Sequence, residues 1–122
     1  MATVRVFVAD VERSRDFYEH ALGFDVVEQW GPAMVIIQRG DLNLWLAGPS
    51  SSAAKPWEDG TQPKPGGFSR IVLEIESWEA QAEAIAIHGG RVVNGPLRGP
   101  GGTQIIVLDP DGNSIEFFQA AG

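Results

Sequence analysis

The stretch TVRVFVADVERSRDFYEHALGF, residues 3–24, decides the fold, because its pattern returns later in the chain. Residues 3–8 alternate in the manner of a strand with one buried face. Residues 10–22 carry apolar side chains at helical spacing, with Asp10 as a candidate N-cap. Gly23 then supplies a left-handed helix end before the next strand. The stretch therefore predicts a strand, a helix and a stop in quick succession.

The second copy of this pattern lies past the middle of the chain. Residues 68–75 predict a strand, residues 77–88 a helix, and Gly89-Gly90 its stop. Each copy ends in a hairpin whose turn residues are glycine, aspartate, asparagine or proline. The hairpins pair 34–38 with 42–46, and 103–108 with 114–119. We expect an α+β fold in which two βαβββ modules form a concave mixed β-sheet cup with the helices on its outer face.

The chain has 122 residues, which suits a single domain. Module 1 covers about 1–47, module 2 about 68–122, and a loop at 48–67 joins them. Twenty residues without periodic structure are unusual inside a compact domain, and they often form a lid or a binding loop. Trp57 favours a lid or an interface over a plain linker, because a solvated linker rarely contains tryptophan.

Side chains on one face of each predicted helix and strand define the core, and most of them are apolar. In the first helix they are Val11, Ser14, Phe17, Tyr18, Ala21 and Leu22, and in the second Trp78, Ala82, Ile85 and Ala86. The strand residues expected beneath the helices are Val4, Val6, Val8, Ile71, Leu73, Ile75, Ile115 and Phe117. The opposite strand faces mix charged and apolar residues and should line the cup.

Composition and charge exclude several classes of protein. The chain is 43% apolar and 20% charged, too apolar for disorder, and has no apolar run long enough for a bilayer. Its net charge of −7 argues against nucleic acid or an anionic membrane as a partner. An acidic surface either steers cationic ligands towards the protein or simply maintains solubility. With no cysteine and no visible signal peptide, we expect a cytoplasmic protein.

Two matched segments resemble the vicinal-oxygen-chelate superfamily, which includes glyoxalase I, bleomycin-resistance proteins, fosfomycin-resistance enzymes and extradiol dioxygenases. The first is VADVERS at 8–14, continued by Phe17-Tyr18 and by LGF at 22–24. The second is LDPDGN at 108–113, followed by IEFF at 115–118. The resemblance implies the cup fold. In the enzymes of the superfamily it also implies a divalent metal held by side chains of the first, fifth and eighth strands, and in some members the fourth.

The matching positions in this chain do not provide such ligands. They are Thr3 in the first strand, Arg70 in the fifth and Glu116 in the eighth, with Asn43 and Trp45 as fourth-strand candidates. An arginine has no lone pair to donate to a metal and adds a positive charge. We therefore expect no metal, no cofactor and no catalytic residue of the family type. Instead, a salt bridge between Arg70 and Glu116 is expected to fill the metal's place.

The two histidines, His20 and His88, fall near the helix C-termini, where the helix dipole favours them. They are therefore expected to be structural. Flat aromatic rings near the predicted cup offer stacking surfaces for planar ligands. The candidate ligand-binding residues are Arg5, Phe7, Trp30, Asn43, Trp45, Trp57, Arg70, Glu116 and Phe118.

These observations predict a metal-free small-molecule binding protein of the bleomycin-resistance-like branch. It would sequester an aromatic antibiotic or natural product. Members of that branch are commonly dimers with ligand sites between subunits, so the resemblance implies a homodimer with the 48–67 loop near a shared site. The alternative is a glyoxalase-like or dioxygenase-like enzyme, a lyase, isomerase or oxygenase, with a divergent or displaced metal site.

Overall fold

The computed structural model describes residues 2–121 and contains the two expected modules in chain order. Module 1 consists of β1 (Thr3–Phe7), α1 (Val11–His20), β2 (Asp25–Trp30), β3 (Met34–Arg39) and β4 (Leu42–Ala47). Module 2 consists of β5 (Arg70–Glu74), α2 (Glu79–Ile87), β6 (Arg91–Gly99), β7 (Gly102–Leu108) and β8 (Ser114–Ala120). Every predicted boundary lies within two residues of the observed one.

The strands form two four-stranded sheets with the same internal topology. Their orders are β1-β4-β3-β2 and β5-β8-β7-β6. In each sheet the first strand of the module pairs in parallel with the last, and the other pairs are antiparallel. The α+β fold with two βαβββ modules is therefore confirmed. Because β1 and β5 are end strands of separate sheets, the two modules meet along a seam rather than through a continuous hydrogen-bonded ladder.

Helix α1 begins and ends as its sequence predicts. The Asp10 side chain accepts a hydrogen bond from the Arg13 backbone N–H at 3.2 Å. Gly23 has φ +75° and lets the chain turn, so that the Phe24 N–H reaches the Tyr18 carbonyl at 3.0 Å. The whole predicted stripe is buried, namely Val11, Ser14, Phe17, Tyr18, Ala21 and Leu22.

Helix α2 is less buried than its sequence predicts. Ile85 is its buried residue, whereas Ala86, predicted in the core, is exposed. Ala84, not Ala86, packs against the core beside Ile85. The prediction for Val4 was also wrong, since its side chain is 46% exposed. Val4 lies on β1 at the open seam, where the adjoining sheet does not cover it.

Polar contacts join α1 and β1 to the β7–β8 turn of module 2. The Tyr18 hydroxyl donates to Asp109 Oδ2 at 2.8 Å, and both residues are buried. The Asn113 amide donates to the Phe7 carbonyl at 3.0 Å. Arg13 and Asp111 form an ion pair at 2.6 Å nearer the surface. The turn of module 2 is thereby held against module 1. No helix within residues 2–121 has the length and apolar character to cross a membrane.

Candidate functional site

A cavity of about 250 Å³ lies where the two sheets meet. We call it the seam cavity. Its walls include Arg5 and Phe7 of β1, Arg70 of β5, and Lys64 and Gly66 of the connecting loop. Three of the nine predicted ligand-binding residues (Arg5, Phe7 and Arg70) therefore share one cavity.

The end of the connecting loop closes one side of this cavity. The Gly66 N–H donates to the Asn113 side-chain oxygen at 2.8 Å. The Ser114 hydroxyl donates to the Gly67 carbonyl at 2.9 Å. Both contacts fasten the loop to the start of β8, so this part of the loop is cavity wall rather than free linker.

Arg5 and Trp45 provide a polar and an aromatic side chain on the sheet face of module 1 that was expected to line the cup. They face each other across the parallel β1–β4 pair. The guanidinium carbon of Arg5 lies 5.1 Å from the centre of the Trp45 ring, within the range of a cation–π contact. Arg5 Nη1 also lies 3.9 Å from the Met34 sulfur. The half-buried indole thus supports the Arg5 guanidinium at the cavity.

Arg70 and Glu116 form the expected ion pair on the sheet face of module 2 that was expected to line the cup. Arg70 Nε lies 3.3 Å from Glu116 Oε1. The backbone partner of Glu116 on β5 is Val72, so the Arg70 side chain reaches diagonally along the sheet. The Glu116 side chain is 13% exposed and that of Arg70 is 41% exposed. The inner carboxylate is therefore compensated by a more accessible guanidinium.

The donor set at the family's metal positions does not fit a divalent cation. Thr3 offers a neutral hydroxyl, Arg70 offers no donor atom, and an oxygen of Glu116 is paired with Arg70. On the fourth strand, Asn43 and Trp45 add an amide and an indole. Within residues 2–121, no three His, Cys, Asp or Glu side chains are grouped so that they could hold a metal ion.

The two histidines lie on the helices, as their sequence positions predict. Their ring centres are 5.5 Å apart, with the planes tilted by 31°. His88 Nδ1 lies 2.7 Å from Asp16 Oδ2, and His20 Nε2 lies 3.6 Å from Glu19 Oε1. This cluster links the C-terminal ends of α1 and α2. It makes a surface contact between the modules.

The remaining predicted site residues lie farther along the sheets or in the loop. Trp30 is 48% exposed on β2, the end strand of module 1's sheet, where it pairs with Met34 of β3. Trp57 is 63% exposed in the loop. Phe118 lies two residues beyond Glu116 on the same face of β8. Asn43 is 5% exposed, and its side-chain nitrogen has no hydrogen-bond partner among residues 2–121. None of these four is among the residues that line the seam cavity.

The sequence assigns nine of the cavity's twelve lining residues to no site, among them Lys64, Asn113 and Tyr18. Lys64 lies in the 48–67 loop, and the loop's predicted role as a lid was the signal available for it. Asn113 was read as a turn residue, and Tyr18 as a core residue. Burial raises the pKa of the Tyr18 phenol well above its ordinary value, and the neighbouring Asp109 charge raises it further. Tyr18 is therefore a neutral donor engaged with Asp109.

Several solved structures are similar to this chain over nearly its whole length. A glyoxalase/bleomycin resistance protein/dioxygenase family enzyme from Burkholderia phytofirmans has a TM-score of 0.80 at 16% identity, covering 98% of this chain and 97% of the other. A hypothetical protein from S. aureus has a TM-score of 0.73 at 24% identity, with 98% and 93% covered. A lactoylglutathione lyase from Agrobacterium tumefaciens has a TM-score of 0.68 at 19% identity, with 98% and 92% covered. At these identities the likeness establishes the fold alone.

The family comparison covers almost the entire chain. No curated protein matches it. The model of one protein family matches residues 1–117, in agreement with the resemblance of both chain ends. The chain belongs to the Glyoxalase/Bleomycin resistance protein/Dioxygenase superfamily.

Proposed function

We propose that this protein binds an aromatic small molecule in a metal-free site and sequesters it, in the manner of the bleomycin-resistance branch. The observation that carries the proposal is the Arg5–Trp45 contact at 5.1 Å, beside a cavity bounded by both modules. Tryptophan and arginine offer planar surfaces on which an aromatic ring stacks. The natural ligand would be an antibiotic or another planar natural product.

The Arg70–Glu116 ion pair supports a site that works without a metal. It occupies the positions from which the family's enzymes supply metal ligands, and it engages the carboxylate there. Its polar atoms are available to orient a ligand instead. Arg5, Arg70 and Glu116 would make polar contacts, while Phe7, Trp45 and Phe118 would provide the apolar surface.

The proposed site is completed by a second copy of the chain. Module 2 leaves large apolar side chains in solvent, with Phe68 96% and Leu97 55% exposed. A homodimer that covers them would remove this apolar surface from water, and the exposed Trp30 and Trp57 are further candidates for that contact. Analytical ultracentrifugation tests this step. A dimer that Leu97→Glu dissociates is expected, and a monomeric wild-type protein at micromolar concentration would contradict it. The proposed location of this activity is the cytoplasm.

Tryptophan fluorescence tests the binding function directly, since the chain has four tryptophans. We would titrate the purified protein with aromatic antibiotics and quinones, with and without added divalent metal. Saturable quenching that is independent of metal is expected. Trp45→Ala should weaken affinity about tenfold, because it removes a stacking surface and the support of Arg5.

Trp78→Phe is the matched control, because it also removes one indole but lies at the start of α2 rather than against Arg5. Its affinity should equal that of the wild type, with circular dichroism verifying that both variants fold. Binding that requires metal would replace the proposal with the enzyme alternative. Unchanged affinity in Trp45→Ala would remove Trp45 from the site.

A further inference from the structure

We propose that the seam cavity holds the carboxylate of an anionic aromatic ligand. This inference rests on the proposed function and specifies its ligand class. The ligand's carboxylate would lie between Arg5, Lys64 and Arg70. Its ring would extend from the cavity towards Trp45.

The charge distribution carries the inference. The chain has 16 acidic and 9 basic residues, so a random patch of surface is more often acidic than basic. The seam cavity reverses this balance. Its lining includes three basic residues (Arg5, Lys64 and Arg70) and, among residues 2–121, no aspartate or glutamate.

Local pairing leaves most of this positive charge unbalanced. Glu116 lies 3.3 Å from Arg70 Nε and offsets one of the three charges. That contact uses the inner nitrogen of the guanidinium, and the two terminal nitrogens extend beyond it. Arg5 is supported by the neutral Trp45 ring and the Met34 sulfur. Arg5 and Lys64 form no salt bridge within residues 2–121, so two of the three cations that line the cavity are free to compensate a carboxylate.

Of the neutral side-chain donors that line the cavity, those of Tyr18, Asn113 and Ser114 are already occupied, which leaves the Ser69 hydroxyl. The Tyr18 hydroxyl donates to Asp109, and the Ser114 hydroxyl donates to Gly67. The Asn113 amide donates to Phe7 and Asp109. Selection among ligands consequently depends chiefly on the three cations, because charge-assisted hydrogen bonds from them are stronger than a neutral one from Ser69.

The size of the cavity limits which part of the ligand enters. Pockets for whole drug-sized ligands span roughly 300–1,000 Å³. At about 250 Å³, the seam cavity is suited to a small anionic group with an adjoining ring. The remainder of a larger ligand would lie outside the cavity, over the sheet face that contains Arg5 and Trp45.

The overall charge of −7 favours cationic ligands at long range, which opposes this inference. Screening weakens that effect, since the Debye length is about 8 Å at physiological ionic strength. At contact distance the three cavity cations decide the preference. The two effects predict opposite orders of affinity and can be separated by experiment.

Isothermal titration calorimetry with three probes of similar shape provides the test. They are 2-naphthoate, neutral 2-naphthamide and cationic 2-naphthylmethylammonium. We expect naphthoate to bind about tenfold more tightly than naphthamide, with the ammonium weakest. Added sodium chloride should weaken the binding of naphthoate and leave that of the neutral naphthamide unchanged.

Lys64→Gln is the main variant, because Lys64 is exposed in the loop and its loss should leave the fold intact. It should weaken naphthoate binding several-fold and leave naphthamide binding unchanged. Lys55→Gln is the matched control, since Lys55 is the other lysine of the same loop and does not line the cavity. Arg70→Gln should act like Lys64→Gln, with its thermal midpoint measured because it leaves Glu116 unpaired.

The outcomes separate this inference from the function on which it rests. Equal affinity for naphthoate and naphthamide, or tightest binding of the ammonium, would overturn the anion site while leaving aromatic binding intact. Naphthoate binding that neither Lys64→Gln nor Arg70→Gln alters would overturn its location in the seam. Failure of all three probes to bind at millimolar concentration would overturn both proposals.

Discussion

The two modules share one order of elements but bury very different amounts of apolar surface. Helix α1 buries Val11, Ser14, Phe17 and Tyr18, whereas α2 buries Ile85. Strand β6 is exposed along its whole length, whereas β2 has two half-buried residues, Val26 and Gln29. A repeated topology therefore does not imply an equal share of the core.

Module 1 also contributes to the packing of module 2. A side chain at Gly90, directly after α2, would collide with the Phe17 ring and would lie 2.8 Å from the Leu108 carbonyl oxygen. Gly90 thus allows α1 to approach the end of α2. Gly23, which ends α1, has open space around it and is required instead for its positive φ. Two glycines at corresponding places serve two different physical needs.

The largest expected effect comes from substituting the seventh residue of each helix. Phe17→Ala should lower the free energy of unfolding by about 4 kcal/mol, because it leaves a large cavity between the modules. Ile85→Ala should cost about 2 kcal/mol, since it removes fewer atoms from a thinly covered helix. Urea unfolding monitored by circular dichroism measures both. Equal losses would show that the modules share the core evenly, contrary to the burial pattern.

Local signals explain why module 1 was predicted well. Asp10, the apolar stripe of α1 and Gly23 each act within a few residues, so the sequence contains the cause of the structure. The Arg70–Glu116 pair was predictable because module topology puts both residues on one face. Helix α2 was predicted less well, since its alanines fit either a buried or an exposed position.

The seam cavity could not be predicted from the sequence. Lys64 and Asn113 reach it because the loop and the β7–β8 turn fold back onto β1 from far along the chain. That approach depends on how two sheets meet, which strand periodicity does not encode. Trp57 shows the converse, because its residue type predicts a lid or an interface, yet within the single chain its side chain is 63% exposed.

The second-largest expected loss of stability comes from the buried contact that joins the modules. Tyr18→Phe removes the hydrogen bond to Asp109 and should cost about 1.5–3 kcal/mol, the range for hydrogen bonds to charged groups. In a double-mutant cycle with Asp109→Asn, the two losses should be less than additive, because each removes the same contact. Strict additivity in urea unfolding would mean that the contact contributes little.

The same tyrosine predicts a change at alkaline pH. Below about pH 10 Tyr18 is protonated in both states and its stabilisation is fully present. Above that pH the unfolded chain loses the proton, while the raised pKa keeps it in the folded chain. The free energy of unfolding should then fall by about 1.4 kcal/mol per pH unit until the folded pKa is reached.

Tyr18 is the single tyrosine of the chain, so the ultraviolet absorbance of tyrosinate reports on it alone. The folded protein should ionise at a higher pH than the urea-unfolded protein. Tyr18→Phe should lose this part of the pH dependence and serves as the control for other titrating groups. Coincident titration in the two states would contradict the buried hydrogen bond.

The smallest effect compares how the two helices begin. The Asp10 side chain accepts a hydrogen bond from the Arg13 N–H, whereas α2 begins at Trp78 with no side-chain cap. Asp10→Ala should therefore cost about 1 kcal/mol of unfolding free energy. Ser77→Ala, the matched change before α2, should stay within about 0.5 kcal/mol, because the Ser77 hydroxyl donates to the exposed Glu79 carboxylate and caps no backbone group. A larger loss in Ser77→Ala than in Asp10→Ala, measured by urea unfolding, would reverse the comparison and place the better-anchored helix in module 2.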